Sequence, residues 1–237
     1  MAKISVLTPT IREEGLDIVK KALDRQTFRD FEWLIGSPFE TDLGKWVEDD
    51  FEFGVWTLNR IYNKLIKEAE GDLIVSWQDF TFADPDCLEK FWTLFELEPK
   101  VLVSAVGNKY EQVYPERKGV VWKDPRERAD QGTYYPCYFN DIEWNLCSAP
   151  KQALYDVGGF DEALDFLGFG MDGYSVNNRI NDFGGYDFKL NQDIRSYSLV
   201  HGRVPDWDRK NLLGKSYTDR RDQLKLEGKW PILEYLK

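Results

Sequence analysis

Histidine occurs once in the 237 residues, methionine twice and cysteine three times. Cys87, Cys137 and Cys147 form no CxxC pair and show no zinc-ligand spacing. A sparse, odd cysteine count fits a reducing compartment, not a disulfide-stapled secreted fold. No apolar run approaches the length of a membrane span. The opening MAKISVLTPT lacks the apolar stretch of a signal peptide. The expected location is therefore the cytoplasm. Basic residues are the minority, 31 against 42 acidic, for a net charge of −11. That deficit argues against an extensive nucleic-acid surface or broad contact with anionic lipid. It still allows a local basic pocket for a small phosphate ligand. Internal repeats and low-complexity segments are also absent.

What is present suits one generous domain. Hydrophobic residues make up 42% and charged residues 31%, ordinary for a globular chain that buries its own core. Aromatic residues reach 15%, with nine tryptophans. Such rings chiefly fill cores, and they also line sugar and base pockets.

Periodicity along the chain alternates between strand and helix. Ile4, Val6 and Leu7 read as a strand before a turn at Thr8, Pro9 and Thr10. Leu16, Val19, Ala22 and Leu23 recur at helical spacing over 13–26. Residues 31–35 form a short apolar strand stopped by Gly36, Ser37 and Pro38. That is a β-α-β unit of a parallel sheet. The pattern repeats with a helix carrying Leu58, Ile61, Tyr62, Leu65, Ile66 and Ala69, and Gly71 is expected as its C-cap. A strand over 73–77, a helix opened by Pro85 and Asp86, and a strand over 101–106 follow. Residues 107–143 lose periodicity and read as an irregular insertion or β-excursion over the active face. A short helix over 150–156, with Pro150 in its first turn, should end at Gly158 and Gly159. A helix over 172–183 should end at Gly184 and Gly185, before strands near 186–190 and 196–200. The expected class is α/β, a mostly parallel central sheet with helices on both faces. One domain is expected over 1–204, with a tail over 205–237 that carries a helix near 218–227 and packs on the same domain.

Four segments, in order, resemble the inverting family 2 glycosyltransferases. They are ISVLTPT (4–10) followed by a helix and QTFRDFEWLI (26–35), NKLIKEAEGDLIVSWQDFTFADPDCL (63–88), NLCSAPKQALYDVGGFDE (145–162), and GFGMDGYSVNNRINDFGG (168–185) with His201 beyond. The resemblance spans most of 4–203. It implies a GT-A fold, with a nucleotide-sugar donor at the C-terminal ends of the first strands, as the general rule for open α/β sheets requires. It implies transfer of a sugar to an acceptor hydroxyl with inversion. The acceptor itself stays open among a glycan, a glycolipid, a protein and a modified base.

Sugar transfer needs a base for the acceptor hydroxyl, a holder for the diphosphate, and geometry that sets one behind the other. The resemblance assigns the base to Asp172, the second position of an acidic pair whose first position is Met171 here. Thr8, Pro9, Thr10, Arg60, Asn63, Gln78 and Asp79 fall on its nucleotide-sugar positions, and Trp144 and Asn145 on its acceptor side. For several of these a plainer role stays open: a solvated helix charge for Arg60 and Lys64, a bond to the neighbouring loop for Asn63, a core position for Trp144. Asp79 and His201 are the expected ligands of Mn²⁺ or Mg²⁺, with Arg203 as an alternative positive group. Phe80 stands where the family's last metal-holding Asp is expected, and Ser37 where a base-reading Asp is usual. Asp84 and Asp86 are read as caps of the next helix. Asp206, Trp207 and Asp208 are read as a solvated turn. The competing readings are a non-catalytic nucleotide-sugar-binding relative and a nucleotidyltransferase. TPTIREEG lacks the Gly-rich basic loop of the latter.

Overall fold

A computed structural model describes residues 2–50, 57–167, 172–200 and 213–237, without the side chains of 166, 167, 172 and 213–216. The elements run β1 (Ile4–Pro9), α1 (Leu16–Leu23), β2 (Phe31–Ser37), β3 (Lys45–Glu48), α2 (Leu58–Glu68), β4 (Leu73–Trp77), β5 (Thr81–Ala83), α3 (Cys87–Leu97), β6 (Val101–Gln112), β7 (Lys118–Trp122), β8 (Tyr134–Pro136), β9 (Leu146–Pro150), α4 (Lys151–Asp156), α5 (Asp172–Phe183), β10 (Asp187–Leu199) and α6 (Leu213–Leu226). Among the described residues the strands form one sheet in the order β3-β2-β1-β4-β9-β6-β10-β5, with β7 added to β6 and β8 to β10. Strands β3, β2, β1 and β4 run parallel, and so do β6 and β10. β9 is antiparallel to both β4 and β6 and joins the two parallel groups.

Side-chain alternation explains the two layers. Ile4 and Val6 of β1, and Leu73, Val75 and Trp77 of β4, point to the face covered by α1 and α3, where Leu16, Val19, Leu88 and Phe91 meet them. Leu7 and Ile74 point the other way, to the face covered by α2, α4 and α5, where they join a cluster with Leu65, Leu154 and Ile180. All five residues of β4 are buried, as expected of a strand covered on both faces.

Several boundaries differ from the sequence reading. The helix expected over 13–26 is a single 3-10 turn, Glu13–Gly15, followed by α1. β1 and β2 continue through Pro9 and Ser37, so the residues read as turns end the strands. Pro150 ends β9 and precedes α4, outside the first turn. The two strands expected near 186–190 and 196–200 are one, β10, interrupted by an irregularity between Asn191 and Arg195. Residues 107–143 do hold a β-excursion, made of the end of β6, β7 and β8. Arg126 fastens it to the sheet by bonds to Ser104 Oγ (3.1 Å) and the Asp141 carbonyl (2.6 Å). Gly71 is no left-handed cap, since α2 ends at Ala69 in an extended conformation. Gly71 allows a close approach instead: a Cβ there would lie 2.6 Å from the Ser5 backbone nitrogen.

Twin glycines after α4 have a similar role. Gly158 and Gly159 take φ of +71° and +86°. The C-terminal residues lie directly on them. Leu233 N–H donates to the Val157 carbonyl (2.9 Å) and Tyr235 N–H to that of Gly158 (3.1 Å). Leu233 and Leu236 are buried. Arg220 of α6 donates through Nε to Asp161 (3.0 Å), which also accepts from Tyr235 Oη (3.1 Å). The boundary expected at 204/205 lies outside the described residues.

Candidate active site

Parallel β1, β2 and β4 end at one edge of the sheet, and antiparallel β9 begins there. Backbone bonds tie these ends together. Thr10 N–H donates to the Gly36 carbonyl (2.8 Å), and Gln78 N–H to that of Asn145 (2.9 Å). Asp79, just beyond β4, is the centre of the edge and is only 6% exposed. Its Oδ2 accepts from Thr10 Oγ1 (2.5 Å) and Arg12 Nε (3.0 Å), and its Oδ1 from Arg12 Nη2 (2.6 Å). The carboxylate is buried and the guanidinium only partly so, and the charge-assisted bonds between them fix the carboxylate's orientation.

Phe80 has φ of +58°, a region that bulky L-residues avoid. The surrounding backbone holds it there. Its N–H donates to the Gly15 carbonyl (3.2 Å), and its carbonyl accepts from Leu199 N–H (2.8 Å). The Arg12 guanidinium lies 5.0 Å from the Phe80 ring centroid, within cation–π range. Gly15 lies against both residues: a Cβ there would come within 2.7 Å of the Phe80 ring and 2.8 Å of Asp79 Cβ. The start of α1 and the Asp79–Phe80 floor are thus packed without room for a side chain.

The structure gathers some of the sequence-predicted residues at this edge and places others in the interior. Thr10, Gln78, Asp79 and Asn145 meet there, and Pro9 ends β1 beside Gly36. Thr8 is fully buried, its hydroxyl accepting from Trp33 Nε1 (2.9 Å) and donating to the Trp77 carbonyl (2.8 Å). Of the two roles open to Asn63, the structure shows the loop contact. Its amide holds the turn after the twin glycines, donating to the Phe160 carbonyl (3.0 Å) and accepting from Phe160 N–H (2.8 Å). Trp144 takes the core position, packed edge-on against Tyr62 and Phe160 and donating to Asn177 Oδ1 (3.0 Å). Arg60 and Lys64 both pair with Asp50, at 3.2 and 3.0 Å. Neither Asp84 nor Asp86 caps α3 with its side chain. Asp86 pairs with Lys90 (2.9 Å), and Asp84 accepts from Tyr197 Oη (2.7 Å). Ser37 is buried and donates to the Phe39 carbonyl (2.6 Å).

Asp172 opens α5 as expected. A Cβ on the next residue, Gly173, would lie 2.7 Å from the Trp144 ring. The first turn of α5 therefore abuts the residue next to Asn145, whose carbonyl holds Gln78. Met171, His201, Arg203 and residues 206–208 lie outside the described residues.

Two residues of weight went unread in the sequence. Arg12 was visible only as one charge in TPTIREEG, and its partner Asp79 is 67 positions away. Asp165 sits in the 3-10 turn Glu162–Leu167 that leads to the start of α5. It is 4% exposed and caps α2, accepting from Asn59 N–H (3.0 Å), Asn59 Nδ2 (2.8 Å) and Arg60 N–H (3.0 Å). Burial raises its pKa to about 6 and outweighs those three donors. Asp49, beside the same helix end, accepts from Thr57 Oγ1 (2.8 Å), and burial raises its pKa as well.

An open cleft of about 790 Å³ is lined by Glu13, Glu14, Asp17, Glu40 and Asp42, together with Thr41 and Leu43. The five carboxylates make its wall strongly negative.

No protein-family model matches the chain, and no curated protein matches its sequence. Solved structures do match. A crystal structure of GalNAc-T7 with UDP, GalNAc and Mn²⁺ superposes with a TM-score of 0.68 at 12% identity, over 92% of this chain and 47% of that one. TarS of S. aureus gives 0.59 at 13% identity, over 84% of this chain and 37% of that one. TarS 1–349 in complex with UDP gives 0.58 at 13%, over 84% and 60%. The chain thus spans between 37% and 60% of the length of these chains. The fold is the GT-A fold of glycosyltransferases. The resemblance seen in the four sequence segments and this likeness in three dimensions agree on that fold.

Proposed function

We propose that the chain is an inverting glycosyltransferase that takes a nucleoside-diphosphate sugar as donor. The observation that carries the reading is the meeting of Thr10, Arg12, Gln78, Asp79 and Asn145 at the C-terminal edge of a GT-A sheet. UDP bound in two of the similar structures supports a donor of this class.

On this reading the diphosphate lies over the Thr10–Arg12 turn. The acceptor enters from the Asn145 side. Asp172, at a helix start that favours a carboxylate, takes the proton from the acceptor hydroxyl. The acceptor oxygen then bonds to the anomeric carbon from the face opposite the leaving group. The bond from that carbon to the diphosphate oxygen breaks, and the nucleoside diphosphate carries away the electron pair. Met171 in place of an acidic neighbour removes one like charge that would raise the pKa of the base.

The Mn²⁺ in the GalNAc-T7 structure raises the question of a metal here. Among the described residues no group of three acidic, histidine or cysteine side chains is placed to hold one. Both Asp79 oxygens already accept donors, and Phe80 fills the next acidic position. These residues do not fit a divalent ion as they stand, and no step above passes through one.

Release of nucleoside diphosphate from a panel of sugar nucleotides tests the reading. The wild type is expected to release it from one donor, and Asp172→Asn to lower that rate about 100-fold or more with donor binding intact. Undiminished turnover by Asp172→Asn would overturn the assignment of the base. Binding without release in the wild type would mark a non-catalytic relative.

A further inference from the structure

We propose that Arg12, clamped on Asp79, fills the place at this edge that a divalent cation would otherwise take, so that nucleoside diphosphate binds here without metal. This rests on the nucleotide-sugar reading above and adds the chemistry of its anion site.

Three observations converge. First, the carboxylate is committed. A hard cation seeks carboxylate oxygens, but Asp79 already accepts Thr10 Oγ1 at 2.5 Å and two guanidinium nitrogens at 3.0 and 2.6 Å. A carboxylate offers about four lone-pair sites, and a cation on the last of them would face a guanidinium at contact distance. Second, the residue that replaces the next acidic position supports the cation already there. Phe80 lies beneath Arg12, 5.0 Å from ring centroid to guanidinium, with its backbone at φ +58°. An acidic side chain would ligate a metal, whereas an aromatic ring favours an organic cation. Third, the pair is built in from both sides. Gly15 leaves no space for a side chain over Asp79 and Phe80, so the start of α1 packs closely on the floor from that side.

Arg12 is also suited to the anion. Its side chain keeps 25% of its surface exposed at the strand edge, while that of Asp79 keeps 5%. A guanidinium is always charged and presents a planar fork that matches phosphate oxygens in pairs. Asp79 is thus a positioning residue, orienting the guanidinium, and Arg12 is the group that touches the diphosphate.

The test is calorimetric titration of the full chain with UDP and with GDP, each in EDTA and in millimolar MnCl₂. Wild-type Kd is expected to agree within roughly twofold between the two buffers, for whichever nucleotide binds. Arg12→Ala should weaken binding about tenfold or more in EDTA, and Arg12→Lys should fall between. Arg12→Ala combined with Phe80→Asp frees one carboxylate and adds another, so its binding should return with Mn²⁺ and vanish in EDTA. Circular dichroism confirms that each variant is folded, and the wild-type comparison decides the matter even where a variant is not. A wild-type affinity that drops about tenfold in EDTA overturns the proposal and leaves the nucleotide-sugar reading standing. Unchanged binding by folded Arg12→Ala also overturns it. Failure of folded wild type to bind any nucleoside diphosphate in either buffer overturns the underlying reading and this proposal with it.

Discussion

Replacing Asp165 by Asn should remove a pH dependence of stability that the fold builds into the cap of α2. Asp165 is nearly inaccessible and accepts three N–H donors at 2.8–3.0 Å. Burial nevertheless lifts its pKa to about 6 from the usual 3.8. Between those values the native state holds a proton that the unfolded chain has released. Stability therefore declines as pH rises through the window, and levels off above the folded pKa. At ~1.36 kcal/mol per pH unit the gap amounts to about 3 kcal/mol of native-state cost at pH 7. Below the unfolded value that cost is absent. Urea unfolding of wild type and Asp165→Asn, followed by tryptophan fluorescence from pH 4 to 8, isolates the effect as a difference between two curves. The neutral amide keeps one acceptor for Asn59 N–H and loses the other for Arg60 N–H. It should therefore be the less stable protein near pH 4 and gain on the wild type by about 2.4 kcal/mol by pH 7. Parallel curves would refute the raised pKa. A difference of opposite sign would show that the helix-end donors outweigh burial.

Two further outcomes test the packing. Gly158→Ala meets the Leu233 carbonyl at 1.8 Å with φ of +71°, whereas Gly184→Ala, with φ of +85°, meets nothing within 4 Å. Calorimetric melting should show Gly158→Ala down by about 3 kcal/mol or more, roughly 10 °C in Tm, and Gly184→Ala by only about 1 kcal/mol. Cys87 and Cys147 are buried, and burial pushes the half-buried Cys137 thiol up to about 12. A thiol reagent at pH 8 should thus label native protein at one site at most, and slowly, but three sites in denaturant.

Strand and helix order was legible because it depends on local periodicity. β4 and α5 begin and end where the alternation and the glycine pair at 184 and 185 put them. The two-layer sheet follows from apolar runs such as Leu73–Trp77, which no one-sided sheet would bury. The site was legible only as a set of positions. Thr10 and Asp79 stood out because each follows a strand, but Arg12 did not, since its meaning comes from a partner across the sheet. Asp165 was hidden for the same reason: its three donors belong to Asn59 and Arg60, over a hundred residues earlier. Trp144 and Asn63 carried residue types suited to ligands, and burial assigned them to the interior. Gly71 matched the composition of a cap, but the nearness of Ser5 was the actual constraint.

The reversed strand β9 has a consequence for how such a protein changes over time. It brings Asn145 beside Gln78 while running against β4, so whatever precedes it reaches the Asp79 edge without taking part in the pairing of β1, β2 and β4. Insertions or exchanges within 107–143 leave that pairing in register. On the glycosyltransferase reading, preference for what receives the sugar can drift through this stretch, which pairs with β6 and β10 and not with β1, β2 or β4, while the grip on the sugar's carrier is inherited intact.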